Sequence, residues 1–238
     1  MEMSSNLKIV KKNVKQAWIK YHRIKALRLK TPNEILVKMT SPILNELSYV
    51  VDFGSGSLNN SAWFAKNGIK TLSLDYAFKK KKFIQKNLNF KNIDITETKK
   101  LDFLKKKEIN LLIIHQFIDH IYLKDAYKIL NFVKDNLKIK YIFISFLTTK
   151  CRGPGVVGKI SNKKSYLSPI SGRMDSKLKE LHTFYSKKNI NKALNILNNF
   201  NIDKQINITE TYIDNYKKKN LMSTDHYLLK KNVFSKNN

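Results

Sequence analysis

Residues 50–77 read VVDFGSGSLNNSAWFAKNGIKTLSLDYA, and no other stretch of the 238-residue chain is as informative about its fold. A short apolar run leads into Asp52 and a glycine turn, a helical pattern follows, and a second apolar run ends at Asp75. Strand, turn, helix and strand in this order form a crossover unit of a parallel sheet. We therefore expect a ligand site where the turn meets the carboxyl ends of the two strands.

The same alternation of apolar runs and helical patterns continues along the chain. Predicted strands lie at 49–51, 69–74, around Ile93, and at 109–114, 141–146, 206–212 and 226–233. Predicted helices cover 59–67, 77–88, 125–136 and 186–199. The last two strands are close in sequence and should pair as a hairpin at the sheet edge. The fold class is therefore α/β: a Rossmann-like, doubly wound, mostly parallel seven-stranded sheet with an antiparallel C-terminal hairpin, preceded by N-terminal helices.

Two segments stand apart from this alternation. Residues 1–46 carry a basic amphipathic pattern over 5–30 and a second helical pattern over 33–46, so we predict an N-terminal helical segment that acts as a cap or docking element. Residues 47–238 then form the main domain. Within it, 147–183 is rich in glycine and proline and predicts a long loop insertion that closes over a bound substrate.

The charge of the chain is strongly positive. Lysine and arginine number 46 against 18 acidic residues, a formal net charge of +28. Only four of the 46 are arginines, however, and lysine, asparagine and isoleucine share A/T-rich codons. Because phosphate recognition favours the bidentate arginine fork, we weight codon bias slightly above a polyanion partner. Nonspecific attraction of anions or nucleic acid is still expected at low salt.

Cysteine content and hydropathy exclude several classes. The single cysteine, Cys151, rules out an intramolecular disulfide framework and any zinc site built from paired CxxC motifs, and we predict no metal. No run of 18 apolar residues occurs, which predicts no membrane span. The N-terminus lacks the apolar block of a secretory signal, so the expected location is cytoplasmic.

Acidic residues follow the first three predicted strands. Asp52, Asp75 and Asp94 all lie near strand ends, where ligands of parallel sheets bind. The turn Gly54-Ser55-Gly56 lets the backbone approach a ligand closely. Asp75 comes nineteen residues after Gly56, at a spacing suited to binding ribose hydroxyls.

The glycine turn departs from the dinucleotide-binding fingerprint at its third position. That fingerprint requires a glycine three residues after Gly56, and Asn59 stands there instead. The missing glycine, together with the acidic Asp52 before the turn, disfavours NAD. An acid at this position suits a ligand end with positive charge, such as an amino acid or a sulfonium.

These residues resemble the class I S-adenosylmethionine-dependent methyltransferases. Residues 50–77 resemble the first two motifs of the family, and INLLIIHQFIDHI, 109–121, resembles its fourth-strand motif. Two C-terminal stretches, ELHTFYSKKNINKALNILNNFNI at 180–202 and STDHYLLKK at 223–231, are similar to small-molecule members of the tellurite-resistance-like group. On this resemblance, 47–238 is a methyltransferase domain.

The resemblance implies S-adenosylmethionine as cofactor and a set of residues that bind it: Asp52, Gly54, Gly56, Asp75, Asp94 and His115. The first three would surround the methionine end, Asp75 the ribose, and Asp94 the adenine amino group. His115 would flank the methionine and face the substrate. No motif fixes the catalytic residues, and His115 and His120 are the candidates for a general base of near-neutral pKa.

The function implied is enzymatic: methyl transfer from S-adenosylmethionine to a small-molecule substrate. Two alternatives stay open at this stage. One is an RNA or protein methyltransferase that uses the basic N-terminal helix. The other is a non-catalytic subunit that retains the fold, since Leu58 replaces a glycine often present in the first motif. The sequence leaves the methyl acceptor and the oligomeric state unknown.

Overall fold

A computed structural model describes residues 31–77, 85–151, 165–169, 179–213 and 219–232, and the single positions 16 and 19. The strands in these ranges are β1 (Tyr49–Phe53), β2 (Lys70–Leu74), β3 (Leu88–Lys91), β4 (Glu108–Ile114), β5 (Lys138–Leu147), β6 (Ser165–Pro169), β7 (Lys179–Thr183), β8 (Phe200–Ile213) and β9 (Lys219–Lys231). The α-helices are α1 (Glu34–Thr40), α2 (Asn59–Lys66), α3 (Leu123–Asn136) and α4 (Lys187–Ile196). Short 3₁₀ segments span Ser41–Glu46, Thr98–Leu104 and Ile118–His120.

Seven of these strands form one sheet in the order β3-β2-β1-β4-β5-β9-β8. β1 to β5 are parallel, β9 runs antiparallel to β5, and β8 runs antiparallel to β9. The predicted mixed seven-stranded sheet with its C-terminal hairpin is confirmed. Strand order reverses between β1 and β4, which is where parallel sheets of this kind open a ligand crevice.

Helices cover both faces of the sheet, as its strands require. On one face α1 and α2 pack through Leu36, Met39 and Phe64 against apolar side chains of β1, β4 and β5. On the other face α3 and α4 pack on the alternate side chains of the same strands. Beyond their first three residues, β4 and β5 are almost entirely buried and apolar because both of their faces are covered.

The helix predicted over 33–46 exists but changes type at its midpoint. α1 ends at Thr40, and Pro42 opens the 3₁₀ segment that follows. Proline has no N–H to continue the α-helical ladder, which explains the change. The amphipathic pattern over 5–30 falls outside the described residues, except that positions 16 and 19 are helical. None of the helices in the described ranges is long and apolar enough to cross a bilayer.

The third strand differs from its predicted position. It covers Leu88–Lys91, whereas Ile93 and Asp94 follow it in an irregular segment. The helix predicted over 77–88 is wrong at its C-terminal end, where residues 85–87 form a turn; residues 78–84 lie outside the described ranges. Asn87 has a φ of 68°, a left-handed conformation that no helix continues, and its carbonyl accepts a hydrogen bond from Thr71 N–H.

The insertion predicted as a long loop over 147–183 contains regular structure. β5 extends to Leu147, and β6 and β7 pair as an antiparallel two-stranded sheet apart from the main one. Each of these two strands has only five residues, too few to show a clear alternation in the sequence. Residues 152–164 and 170–178 lie outside the described ranges.

Candidate functional site

A cavity of about 390 Å³ opens at the carboxyl edge of the sheet, where strand order reverses. Its volume lies in the range of sites for small molecules, roughly 300–1,000 Å³. Residues of three loops line it: 54–57, 59 and 60 after β1, 75–77 after β2, and 115–117, 120 and 121 after β4. Asp52 of β1, Thr31, Asn33 and Ile95 complete the described wall.

The glycine turn after β1 depends on glycine at its first position. Gly54 has a φ of 69°, and its N–H donates to Leu74 O at 2.8 Å. A Cβ added to Gly54 would lie 2.6 Å from Phe117 Cδ2, which is closer than two non-bonded carbon atoms approach in proteins. Gly56, with a φ of 50°, directs its N–H at Asp75. The backbone of the turn after β1 therefore lies directly against the side chains of Phe117 and Asp75, with no side chain of its own between them at Gly54 and Gly56.

Asp75 joins the second strand to this turn. Its Oδ2 accepts a hydrogen bond from Gly56 N–H at 2.9 Å, and its Oδ1 accepts one from Ala77 N–H at 2.7 Å. A carboxylate oxygen offers about two acceptor sites, so each of these atoms can still accept from a ligand hydroxyl. These two hydrogen bonds fix the orientation of the Asp75 side chain, which lines the cavity.

Asp52 is a buried carboxyl group at the cavity, with 2% of its surface exposed. Ser61 Oγ donates a hydrogen bond to its Oδ2 at 2.5 Å. Burial raises the pKa of Asp52 to about 7, the Ser61 hydrogen bond opposes this rise, and the charge of Asp75 adds to it. Among the described residues no cation pairs with it. A positively charged ligand group would supply the missing counter-charge.

The turn after β3 holds Asp94 beside the cavity rather than in its wall. Asp94 Oδ1 accepts hydrogen bonds from Thr96 N–H at 3.1 Å and Thr96 Oγ1 at 2.7 Å. The next residue, Ile95, is the one that lines the cavity. The structure thus brings Asp52, Gly54, Gly56, Asp75 and His115 together and leaves Asp94 at the border.

His115 follows β4 and is fixed by two asparagines. Asn60 Oδ1 accepts from Asn33 N–H at 2.9 Å, which directs the Asn60 amide nitrogen towards His115 Nδ1, 3.5 Å away. Nε2 is buried without a hydrogen-bond partner. Burial lowers the pKa of His115 to about 3, and His226 contributes to the decrease. The near-neutral pKa expected of a general base is therefore wrong for His115.

Behind His115 lies a buried aromatic group. The ring centroids of His115 and His226 are 6.2 Å apart with an interplanar angle of 21°, and each ring is 6.0 Å from Phe143. Thr224 Oγ1 lies 2.9 Å from His226 Nε2. Burial lowers the pKa of His226 to about 4, so both imidazoles are neutral at physiological pH.

His120 occupies a different position from His115. It is the last residue of the 3₁₀ segment Ile118–His120 and lines the cavity. Its ring centroid lies 5.2 Å from that of His182, the penultimate residue of β7. The second strand of the insertion therefore packs against a residue of the cavity wall.

Several cavity residues were not found from the sequence. Asn33, Asn60 and Ser61 hold His115 and Asp52, and Phe117 packs against Gly54. Ser61 carried a usable signal, since a polar residue in the first turn of α2 faces back to the preceding strand. Leu58 has a left-handed φ of 65°, and its side chain is buried outside the described cavity wall.

No family model and no curated protein matches the sequence. The fold is similar to that of a SAM-dependent methyltransferase from Methanosarcina mazei, with 13% identity, a TM-score of 0.59, and coverage of 85% of this chain and 99% of that one. A SAM-dependent methyltransferase from Archaeoglobus fulgidus has 14% identity, a TM-score of 0.55, and coverage of 83% and 92%. The 1,6-didemethyltoxoflavin-N1-methyltransferase of Burkholderia thailandensis, with bound 1,6-didemethyltoxoflavin and S-adenosylhomocysteine, has 12% identity, a TM-score of 0.50, and coverage of 82% and 77%. The chain thus has the Rossmann-like fold of the SAM-dependent methyltransferases.

Proposed function

We propose that this protein is an S-adenosylmethionine-dependent methyltransferase that acts on a small-molecule acceptor. The observation that carries the proposal is the pair Asp52 and Asp75 at the glycine turn. One carboxyl group is buried without a cation among the described residues, and the other is held by two backbone amides. S-adenosylmethionine has complementary groups for both, namely positive charge at its methionine end and two ribose hydroxyls.

The residues present fit this cofactor. Asp52 and the turn Gly54–Gly56 would hold the methionine end, and Asp75 would accept hydrogen bonds from the ribose hydroxyls. The segment with Asp94 and Ile95 would border the adenine. Bound here, the cofactor supplies a methyl group on a sulfonium, which needs no further activation.

The chain itself contributes orientation and exclusion of water. The ammonium of the ligand would favour the ionised form of Asp52, so the carboxylate and the ligand charge stabilise each other. Phe117 and Ile121 place apolar surface at the cavity, which excludes water from the reacting groups. His115, neutral and fixed by Asn60, would orient the ligand near its methionine end.

A small-molecule acceptor suits the described cavity, which holds polar and apolar side chains in a confined volume. The Burkholderia methyltransferase, whose structure contains bound 1,6-didemethyltoxoflavin, supports the same assignment on this fold. We also propose that the protein is a member of the tellurite-resistance-like group of these enzymes.

Replacing Asp75 by alanine is expected to weaken binding of S-adenosylhomocysteine about 10- to 150-fold. The ribose hydroxyls lose a charged acceptor, which is worth about 1.5–3 kcal/mol. Isothermal titration calorimetry on the full chain measures the change. Asp102→Ala is the control, because it removes an exposed carboxylate on the Thr98–Leu104 segment with the same change of charge. Equal affinity in the two variants, or tighter binding of NAD than of S-adenosylhomocysteine by the wild type, would contradict the proposal.

The net charge gives a separate expectation for nucleic acid. With +28 the chain should bind RNA at low salt, and this binding should fall steeply between roughly 50 and 200 mM salt, because it rests on released counterions. Fluorescence anisotropy with two unrelated RNA sequences measures it, and both should behave alike. Sequence-selective binding that persists at 200 mM salt would instead support an RNA methyltransferase.

A further inference from the structure

We propose that His120 is the general base of this methyltransferase, with Asp119 and His182 as its positioning residues. The proposal rests on the function given above and adds the class of acceptor: a compound whose O–H or N–H group must lose a proton during transfer. It also gives the insertion a chemical role, because His182 belongs to β7.

The first step is the exclusion of the other histidine at the end of β4. His115 Nδ1 faces an amide donor and Nε2 is buried, so neither nitrogen can readily take a proton from a ligand. A charged imidazole would also lie against the second buried ring of His226. His120 also lines the cavity, and its ring packs against that of His182 rather than between β5 and β9.

The second step is the fixed position of the turn that holds His120. Thr183 Oγ1 donates to Ile121 O at 2.6 Å, and the Tyr185 hydroxyl donates to Ile118 O at 3.1 Å. Residues at and just after the end of β7 thus hold the turn on both sides of His120. A base must be oriented to act on a defined ligand atom, and these two hydrogen bonds provide the orientation.

The third step is the carboxyl group beside the histidines. Asp119 is buried, and its Oδ1 accepts from Leu147 N–H at 2.9 Å. Burial raises the pKa of Asp119 to about 7, while the hydrogen bond and a positive charge on His182 lower it. The other titratable groups nearby are Tyr185, whose pKa is raised by burial and by Asp119, and Tyr127. Because the charge of His182 acts on Asp119, and the His182 ring packs against His120, Asp119 is placed to stabilise a positive charge on this pair of rings.

The arrangement is a base oriented by a second ring and a carboxylate. His120 takes the proton from the acceptor atom, and the lone pair left on that atom attacks the methyl carbon. A bond forms from the acceptor to carbon, the carbon–sulfur bond breaks, and its electron pair returns to sulfur. The proton stays on His120, next to His182, until solvent removes it.

The test is a pH titration of each histidine, measured by NMR. The sample is the full chain, isotopically labelled in its histidine rings and saturated with S-adenosylhomocysteine. His120 is expected to titrate reversibly between pH 5 and 9, and His115 is not. Asp119→Asn should lower the pH midpoint of His120 by roughly 0.5–2 units, because the pair His120 and His182 loses the neighbouring negative charge that favours a protonated ring. Asp125→Asn, on the next helix, is the matched control and should leave the midpoint unchanged.

His182→Phe separates coupling from packing, because phenylalanine keeps a ring against His120. In this background, adding Asp119→Asn should shift the His120 midpoint less than it does in the wild type. The inference is overturned if His120 does not titrate, or if Asp119→Asn moves its midpoint no more than Asp125→Asn does. It is also overturned if Asp119→Asn shifts the His120 midpoint equally in the wild type and in His182→Phe. Calorimetry tests the proposed function separately. If the chain fails to bind S-adenosylhomocysteine, the proposal that it is a methyltransferase is contradicted, whatever the titration of His120 shows.

Discussion

Replacing Asp52 by asparagine is expected to stabilise the folded chain at pH 8 relative to the wild type and to weaken cofactor binding about 10- to 150-fold. The stability effect follows from the pKa of about 7 that burial gives this carboxyl, against 3.8 for an ordinary aspartate. A pKa raised in the fold stabilises the fold below pH 3.8, and this contribution is lost as the pH rises through 7. The gap of about three units corresponds to about 4 kcal/mol.

The stability difference between variant and wild type should therefore grow by about 4 kcal/mol from pH 4 to pH 8. Asparagine can still accept the Ser61 hydrogen bond, but its buried amide nitrogen costs about 1–3 kcal/mol at every pH. Urea denaturation at both pH values measures the difference. Binding weakens because a neutral amide cannot pair with the ligand charge.

Asp119→Asn is the control for the Asp52 variant. It removes a second buried carboxyl group whose pKa burial raises to about 7, but this group lies outside the described cavity wall. It should show the same pH-dependent gain in stability with unchanged affinity for S-adenosylhomocysteine. If both variants lose affinity equally, the counter-charge role of Asp52 is wrong. If the stability of Asp52→Asn relative to the wild type does not rise with pH, the ionised Asp52 carboxylate must have a stabilising partner or solvent contact in the fold.

The features predicted from sequence are those that local patterns determine. The sheet and the helices on its two faces follow from the alternation of apolar runs with helical periods, and the reversal of strand order follows the glycine turn. Gly54, Gly56 and Asp75 were found because their spacing along the chain is itself the structural requirement: a tight turn, and an acid one crossover unit later.

The features missed depend on contacts that are distant in sequence. Asn33 and Asn60 are 27 residues apart, and their hydrogen bond decides how His115 is held. The low pKa of His115 comes from burial between β4, β5 and β9, which no residue type encodes. Likewise, His182 reaches His120 only because β7 docks on the turn after β4. Sequence position alone made His115 and His120 equivalent candidates, and tertiary structure separates them.

Replacing Gly54 by alanine is expected to destabilise the fold by about 2–4 kcal/mol and to abolish measurable cofactor binding. Two costs add. An alanine at a φ of 69° costs about 1 kcal/mol in backbone strain. Its Cβ would also lie 2.6–2.8 Å from three atoms of Phe117, and forcing such a contact in a packed site costs about 1–3 kcal/mol. Because Phe117 lines the cavity, its displacement changes the binding site itself.

Gly68→Ala separates these two costs. Gly68 has a φ of 83°, but a Cβ there would meet no atom within 4 Å, so only the strain of about 1 kcal/mol applies. Thermal and urea unfolding of both variants should therefore differ by the cost of the Phe117 contact alone, and Gly68→Ala should bind S-adenosylhomocysteine like the wild type. Equal destabilisation of the two variants would mean that the loop after β1 moves freely away from Phe117.

Removing the Phe117 ring tests whether its contact with the new Cβ causes the destabilisation by Gly54→Ala. Phe117→Ala in the wild type loses buried ring surface and leaves a cavity, which destabilises the fold by about 3–5 kcal/mol. In the Gly54→Ala background the same change also removes the clash, so its cost should be smaller by about 1–3 kcal/mol. Additive effects of the two substitutions would refute direct contact between these loops. A non-additive result would establish that the close approach of the β1 and β4 loops, which shapes the cavity at the point of strand reversal, is what excludes a side chain at position 54.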